Sequence, residues 1–477
     1  MDQSLKSPAL SALDDAFRAQ HDASRADPAP PCEVRIDRLR RLREVIETSE
    51  GRFEQAISAD FGHRSAVETT IAETLFLYVE IKHATRHLKK WMAPRRIATA
   101  LQFMPAKNRL MAQPLGVVGV IAPWNYPLQL TLAPAIGAIA AGNRVMIKPS
   151  ELTPHFAALL KEVVAQKFDA RELLVTGVED EVAKAFPALP FDHLIFTGSG
   201  RIGRIVAETA ARNLTPVTLE LGGKSPAIVD RSADLNEAAE RIGYAKLLNA
   251  GQTCIAPDYA FVPEESVQAF AEKVRTHMRR MFGTEPNNKD YTAIISDRHF
   301  ARLEALVADA AAKGAKIMQP ARPDDPNWKA RRKFPPTIVA GATPEMTLMQ
   351  EEIFGPVLPV MSYKDAKEAI AFVGRRDRPL ALYWFGRDNA ARDAVLTQTV
   401  SGGVTVNDCL FHITQVNQPF GGVGASGSGA YHGEWGFDNF SKLKPVFYRS
   451  VLNRMADLHP PYGGKIARLE KMLRFMS

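Results

Sequence analysis

Cys254 is one of three cysteines in a chain of 477 residues. It stands in Asn249-Ala250-Gly251-Gln252-Thr253-Cys254-Ile255-Ala256-Pro257, after a Gly-Gln-Thr turn that itself follows a helix-like run over 235–248. A thiol at such a junction can meet a substrate, and nearby backbone N–H groups favour its nucleophilic thiolate. A cysteine without further context is more often a small buried hydrophobe, so the other chemistry-bearing residues decide. Asn125 lies in Pro123-Trp124-Asn125-Tyr126-Pro127, where two prolines stiffen the loop. An amide held rigidly there can donate to an oxyanion. Glu220 opens Glu220-Leu221-Gly222-Gly223-Lys224-Ser225-Pro226 between apolar neighbours, a setting that raises a carboxyl pKa toward that of a general base. Lys148-Pro149-Ser150-Glu151 offers a cation and a carboxylate to ribose hydroxyls or a phosphate. Thr197-Gly198-Ser199-Gly200-Arg201-Ile202-Gly203 fits G-x-G-x-x-G, whose glycines admit a pyrophosphate to a helix N-terminus. Each has an ordinary alternative: a turn asparagine, a solvated loop glutamate, a surface ion pair. Glycine is also dense in 351–356 and 419–427, which brings backbones close together or against a ligand.

Strand and helix patterns supply the elements that position these residues. Residues 8–90 read as helical. Leu39, Leu42 and Ile46, then Phe53, Ile57 and Phe61, then Ile71, Leu75 and Tyr78 recur as core-facing stripes. A β-compatible stretch over 97–111 surrounds a turn at Pro105 to Asn108, an extended hairpin. From 115 the pattern alternates. Strands are expected at 115–121, 144–147, 173–176, 193–196 and 217–219, with helices at 128–141, 154–167, 182–186 and 202–212. The alternation resumes with strands at 227–229, 260–262, 336–339, 357–361 and 380–385, and helices at 266–281 and 298–312. Such alternation predicts α/β architecture, two parallel-sheet domains with covered faces, and ligands beyond the carboxyl ends of the strands. The candidate residues stand at those ends. The glycine motif follows the fourth strand rather than the first, unlike the usual dinucleotide fingerprint.

The totals exclude several classes. The length calls for more than one core. The net charge of +7 is spread in pairs such as Arg95-Arg96 and Arg375-Arg376, so no nucleic-acid partner is expected. No apolar run reaches the ~18 residues of a membrane helix. Met1-Asp2-Gln3-Ser4 lacks a basic segment before an apolar one, and Arg474-Phe475-Met476-Ser477 carries no lipidation box. An odd cysteine count fits a reducing compartment, so the expectation is a cytoplasmic protein without a metal site.

Taken together, 123–127, 148–151, 196–203, 219–226, 251–254, 352–357 and 419–427 resemble the aldehyde dehydrogenase superfamily, in the family's order, from about 115 to 441. The segments 251–257 and Ala430-Tyr431-His432-Gly433, with 437–441, are similar to the short class-three-type branch. That branch includes fatty and aromatic aldehyde dehydrogenases, bacterial coniferyl aldehyde dehydrogenases among them. The resemblance implies oxidation of an aldehyde to its acid through a thiohemiacetal and thioester on Cys254, with Asn125 holding the oxyanion and Glu220 activating water. It implies NAD as cofactor, with NADP possible, contacted by Trp124, Lys148, Glu151, Gly198, Ser199, Gly203, Glu352 and Phe354, with a pyrophosphate placed differently from the usual fingerprint. It assigns 1–96 and 115–221 to an NAD-binding domain, 222–418 to a catalytic domain, 97–114 and 430–450 to a β oligomerisation arm, and 451–477 to a tail. It implies a homodimer, with strand 444–448 pairing to a partner subunit. An aromatic aldehyde is the expected substrate. An aliphatic medium- or long-chain aldehyde is the alternative, and a silent binding protein on this fold a weaker one. Trp124, Tyr126 and Phe411 form a possible aromatic entrance, although core packing explains aromatics equally well. Cys32 and Cys409 are expected to take no catalytic part.

Overall fold

Two parallel sheets hold the strand ends on which the candidate residues stand. A computed structural model describes residues 7–319, 325–452 and 459–476. Met1 to Ser4 and Ser477, which bear on the leader and lipidation expectations, lie outside them.

The first sheet runs, in space, Gly427–Ser428, Val217–Leu221, His193–Gly198, Val117–Ile121, Arg144–Lys148, Leu173–Val175. All neighbours are parallel except the first pair. Its strands read as unbroken apolar runs because helices cover both faces. Val118, Val145 and Ile195 are fully buried. Strand order reverses at Val117–Ile121, since the next two strands lie on one side of it and the later ones on the other. A crevice opens at such a reversal, and both the 123–127 loop and Gly198 emerge there. The second sheet runs Lys316–Met318, Thr337–Ala340, Val357–Tyr363, Tyr259–Pro263, Pro226–Val229, Ala381–Phe385, Gly403–Val406, again parallel after the first pair. The expected α/β class is therefore observed. The strands absent from the sequence reading, Lys316–Met318, Gly403–Val406 and Gly427–Ser428, are short, and all three lie at sheet edges.

Two of the three N-terminal stripes pack as expected. Leu39, Leu42 and Ile46 on Cys32–Glu47, and Phe53, Ile57 and Phe61 on Glu50–Phe61, are fully buried. The third is corrected: Ile71 is 54% and Leu75 49% exposed. A π-helical turn, Thr70–Thr74, sits between Ala66–Thr69 and Leu75–Met92. Its wider turn breaks the 3.6-residue period and rotates the pattern. The core instead receives Glu73, Leu77, Glu80, Ile81, Ala84 and Leu88.

A third sheet of Arg95–Ile97, Lys107–Pro114 and Ser441–Tyr448 forms the predicted hairpin arm, although its second strand already begins within the expected turn. The C-terminal strand, expected to pair with a partner subunit, pairs with this chain's own hairpin, from Ser441 opposite Pro114 to Tyr448 opposite Lys107. The hairpin's free edge lies within reach and satisfies one side of that strand. The strand's other edge is unpaired among the described residues.

Candidate active site

The turn before Cys254 is more strained than a Gly-Gln-Thr turn suggests. Helix Leu235–Leu247 is followed by Asn249, Ala250 and Gly251 with φ of +53°, +51° and +73°. Each non-glycine residue in this region costs roughly 1–2 kcal/mol, so the surroundings must hold it. Glu68 accepts the Asn249 N–H at 3.2 Å. Asn249 Nδ2 donates to the Asn125 and Gln252 carbonyls at 2.9 and 3.1 Å. Gln252 Nε2 donates to Asn249 and Ala293 carbonyls at 3.0 Å each, and its Oε1 accepts from Ile295 N–H at 3.0 Å. Gly251 is required by close approach: a Cβ there would lie 2.3 Å from the Gly355 carbonyl oxygen. The turn delivers Cys254 half-buried, within electrostatic reach of Glu352 and Glu220.

Asn125 is held from its backbone. Its carbonyl accepts from Asn249 and, at 3.2 Å, from Arg64 Nη1, while its own Nδ2 donates to the Gln252 carbonyl at 3.1 Å. Arg64 pairs with Glu73 at 2.7 Å, both fully buried, and Glu73 Oε2 accepts from the Leu128 and Gln129 N–H groups that open helix Gln129–Ala141. One ion pair thus ties the Asn125 loop to the following helix. Removing one partner of a buried pair leaves an uncompensated charge, which costs about 3–5 kcal/mol. Arg64→Met is expected to lower the unfolding free energy by about that much in urea titration, and the Arg64→Met/Glu73→Met double variant to recover most of it. A single-variant loss under about 1 kcal/mol would show that the pair holds nothing in place.

The electrostatics around the thiol are negative. Burial, then Glu352 and Glu220, push the Cys254 thiol up to about 12. The N–H groups of Cys254 and Ile255 pull it down, as the sequence suggests, but by less. Glu220 is 3% exposed, neither of its oxygens has a hydrogen-bond partner among the described residues, and burial raises its pKa well above the ordinary value. The edge strand Gly427–Ser428 walls it in, with Gly427 opposite Glu220 and Ser426 accepting the Leu221 N–H at 3.0 Å. Burial and Asp258 push the Glu352 carboxyl up to about 8, against Gly223 N–H, Lys224 and Lys246. Gly222 makes room for it, since a Cβ there would lie 2.0 Å from Glu352 Oε2. Phe354 adopts φ +49°, and its ring lies 5.4 Å from that of Trp124.

The residues at the crevice fit a dinucleotide. Lys148 is buried at its strand end and donates to the exposed Glu151 at 2.9 Å. Burial opposes ionisation of Glu151, but the Lys148 hydrogen bond and charge hold its pKa below the ordinary value. The glycines divide the work. A Cβ at Gly198 would meet Phe196 at 2.6 Å and one at Gly203 would meet Leu221 at 2.8 Å, so both allow close packing. Gly200 faces open space beside the exposed Ser199, which caps helix Gly200–Ala211. That leaves a helix N-terminus open to an anion.

The proposed aromatic entrance does not form as one cluster. Tyr126 is buried, its hydroxyl 2.7 Å from Thr253 Oγ1 and its ring beneath Arg64. Trp124 packs between Phe61, His299 and Phe354, and Phe411 is exposed, with no ring contact to Trp124 or Tyr126 among the described residues. Cys409 is buried and Cys32 half-buried, both free. Sequence reading missed Arg64, Glu68, Glu73, Asn249 and Gln252 as the frame of the site. Asn249 and Gln252 stood within the quoted stretch. The other three had no signal, because their roles exist only across long loops.

A parallel sheet whose order reverses beside an open helix N-terminus, set against a second sheet that carries a framed thiol, defines a cofactor-dependent oxidoreductase. Comparison with known proteins gives this class its family. The chain belongs to the aldehyde dehydrogenase family, whose model matches residues 5–446. It is 47% identical over 463 residues to a "probable coniferyl aldehyde dehydrogenase" of Caulobacter vibrioides, covering 96% of this chain and 95% of that one. It is 44% identical to the coniferyl aldehyde dehydrogenase of Pseudomonas sp., over 92% of both chains. The substrate-bound structure of Staphylococcus aureus AldH superposes with a TM-score of 0.91 at 37% identity, covering 97% of this chain and 99% of that one. The protein is an aldehyde dehydrogenase of an NAD(P)-dependent family.

Proposed function

We propose that this enzyme oxidises an aromatic aldehyde of the coniferyl type to its carboxylic acid, with NAD as the preferred cofactor. The carrying observation is the buried, unpartnered carboxyl of Glu220 within electrostatic reach of the Cys254 thiol. Cys254 attacks the aldehyde carbon, forming a C–S bond and an oxyanion. The second Nδ2 hydrogen of Asn125 and the Cys254 N–H stabilise that oxyanion. Losing one such donor typically costs on the order of 3 kcal/mol, so Asn125→Ala is expected to lower kcat by about 10²-fold with little change in dinucleotide affinity. An unchanged kcat removes Asn125 from this role. A bound dinucleotide would take up the hydride that leaves the former aldehyde carbon. Glu220 then draws a proton from water, whose oxygen attacks the thioester and releases the acid. Trp124, Lys148, Glu151, Gly198, Ser199, Gly203, Glu352 and Phe354 would hold the cofactor, 1–96 with 115–221 forming its domain and 222–418 the catalytic one.

Glu151 carries the cofactor preference. A carboxylate at the ribose accepts a 2′-hydroxyl and repels a 2′-phosphate. Initial-rate kinetics are expected to give NAD the higher kcat/KM, and Glu151→Gln to narrow the gap. A wild-type preference for NADP would reverse this reading. The similarity to coniferyl aldehyde dehydrogenases supports the aromatic substrate. A kcat/KM panel over coniferyl, cinnamyl, benzyl and medium-chain aliphatic aldehydes tests it, and an aliphatic preference would overturn it. Regions 97–114 and 430–450 leave the outer edge of Ser441–Tyr448 open to a second copy, in keeping with a homodimer. Light scattering at micromolar protein tests that. The three free cysteines agree with a cytoplasmic setting. No helix among the described residues is long and apolar enough to cross a membrane.

A further inference from the structure

Behind Glu220 lies a buried polar seam that the reaction described above does not use. Tyr431 and His432 precede helix Gly433–Asn439. His432 adopts φ +89°, a conformation that L-residues rarely take, and strain of this kind collects at functional sites. It lets two successive side chains line one small cavity, which Glu80 also lines from helix Leu75–Met92. The cavity holds about 10 Å³, close to the room one water centre needs. Tyr431 Oη, both ring nitrogens of His432 and Glu80 Oε1 are buried there without a hydrogen-bond partner among the described residues; both oxygens of Glu220, which does not line the cavity, are likewise unpartnered. Such atoms are rarely left alone in native proteins, and those of the cavity gather in one place. His432 Nδ1 lies 4.0 Å from Glu80 Oε1. The Tyr431 hydroxyl lies within electrostatic reach of Glu220, Cys254 and Glu80. One turn on from Glu80, the half-buried His83 lies beside Gly433, its ring centroid 4.3 Å from that of His87 with the planes tilted by 39°.

We propose that Tyr431, His432 and Glu80 form a proton exit from the catalytic centre, leading to His83 and solvent. The proposal rests on the thioester reading of Cys254 and Glu220. In thioester hydrolysis the water oxygen bonds to the acyl carbon, the C–S bond breaks, and its electron pair returns to Cys254. One water proton stays with the acid and the other is taken by Glu220. Cys254 must again lose a proton before the next attack, so each turnover leaves one proton on the Glu220–Cys254 pair. The seam gives that proton a path. The Tyr431 hydroxyl both accepts and donates. Neutral His432 accepts at one nitrogen and donates from the other. Burial holds His432 down to about 3, so it serves as a link, whereas burial pushes Glu80 up to about 7, the level of a resting place near neutral pH. Among the described residues, no charged side chain besides Glu80 lines the cavity. Helix Gln129–Ala141 presents only apolar residues to the cavity, Glu434 and Asp438 of the adjoining helix engage Arg95, and the remaining titratable neighbours are His83 and the half-buried His412.

The test is Tyr431→Phe, which deletes an unpartnered hydroxyl and keeps the ring, with Glu80→Gln and His432→Asn beside it. In dilute buffer, multiple-turnover kcat is expected to fall about tenfold in each, with the first-turnover burst of reduced cofactor intact. Millimolar imidazole, a small proton carrier, should restore most of the rate, and a pH dye should show proton release lagging behind the burst. An unchanged kcat in Tyr431→Phe, or a loss that imidazole does not rescue, overturns the proposal. Glu220→Gln separates the two levels. If it fails to arrest the enzyme as a thioester, the reading beneath has failed. If it arrests while Tyr431→Phe is silent, only the exit path has.

Discussion

Replacing Cys254 with alanine is expected to lower kcat for aldehyde oxidation by on the order of 10⁴-fold or more, the scale seen when a nucleophile is removed, while dinucleotide binding followed by fluorescence is retained. Cys254 is the one thiol that both faces Glu220 and Glu352 and stands on a framed turn. Cys409 is buried and feels Asp408 and Arg241 rather than Glu220 and Glu352, so Cys409→Ala is expected to remain active. The resting thiol has a further signature. With burial and two carboxyls pushing its pKa up to about 12, the thiolate fraction in the free enzyme rises about tenfold per pH unit across pH 7 to 9. Alkylation of Cys254 by iodoacetamide should follow that slope without a plateau. A plateau below pH 8 would mean that a cation the structure does not place beside the thiol stabilises it.

Glu220→Gln is expected to lower steady-state kcat by about 10²–10⁴-fold, the usual worth of a positioned general base, while leaving the first-turnover burst of reduced cofactor. On the proposed reading the carboxyl acts after hydride departure, on water. Its pH dependence has a definite sign. A base works ionised, and burial raises the Glu220 pKa well above the ordinary carboxylate value, so the rate of thioester hydrolysis should climb with pH at values where a surface glutamate is already fully ionised. In the variant this limb should vanish. Loss of the burst together with kcat would instead place Glu220 in the attack step. If the proposed hydrolytic reading holds, water is the acyl acceptor and adding coenzyme A should not restore turnover of the variant. Rescue by coenzyme A would identify an acyl-transfer enzyme.

Much of this was legible in the sequence. Strand–helix alternation gave the two sheets, and the residues at the strand ends marked the crevice: Asn125, Lys148, Gly198 and Glu220 each follow or end a strand of the first sheet. Apolar runs and glycine spacing are local signals, and local signals survive folding. The π-turn at Thr70–Thr74 was not legible, because it alters the period on which stripe reading depends. Nor was the frame of Arg64, Glu68 and Glu73, whose buried charges look in sequence like a solvated helix face and, apart from the Arg64–Glu73 pair itself, acquire their partners from residues 55 to more than 200 positions away. The net shift of the thiol runs opposite to the thiolate stabilisation that the sequence suggests. The N–H groups are present, yet burial and the converging carboxyls outweigh them, and only coordinates bring Glu352 and Glu220 to the same sulfur. The strand at Ser441–Tyr448 was legible, and the structure adds that one of its edges pairs with this chain's own hairpin.

The central claim is that a thioester forms on Cys254 and is hydrolysed through Glu220. Intact-mass spectrometry of Glu220→Gln, acid-quenched within the first turnover with coniferyl aldehyde and NAD, addresses it most directly. The account predicts a mass gain equal to the acyl group, stoichiometric with the enzyme, mapping to the peptide that carries Cys254 and absent from the Cys254→Ala/Glu220→Gln variant. An unmodified protein after the burst, or an acyl group on any other residue, would contradict it.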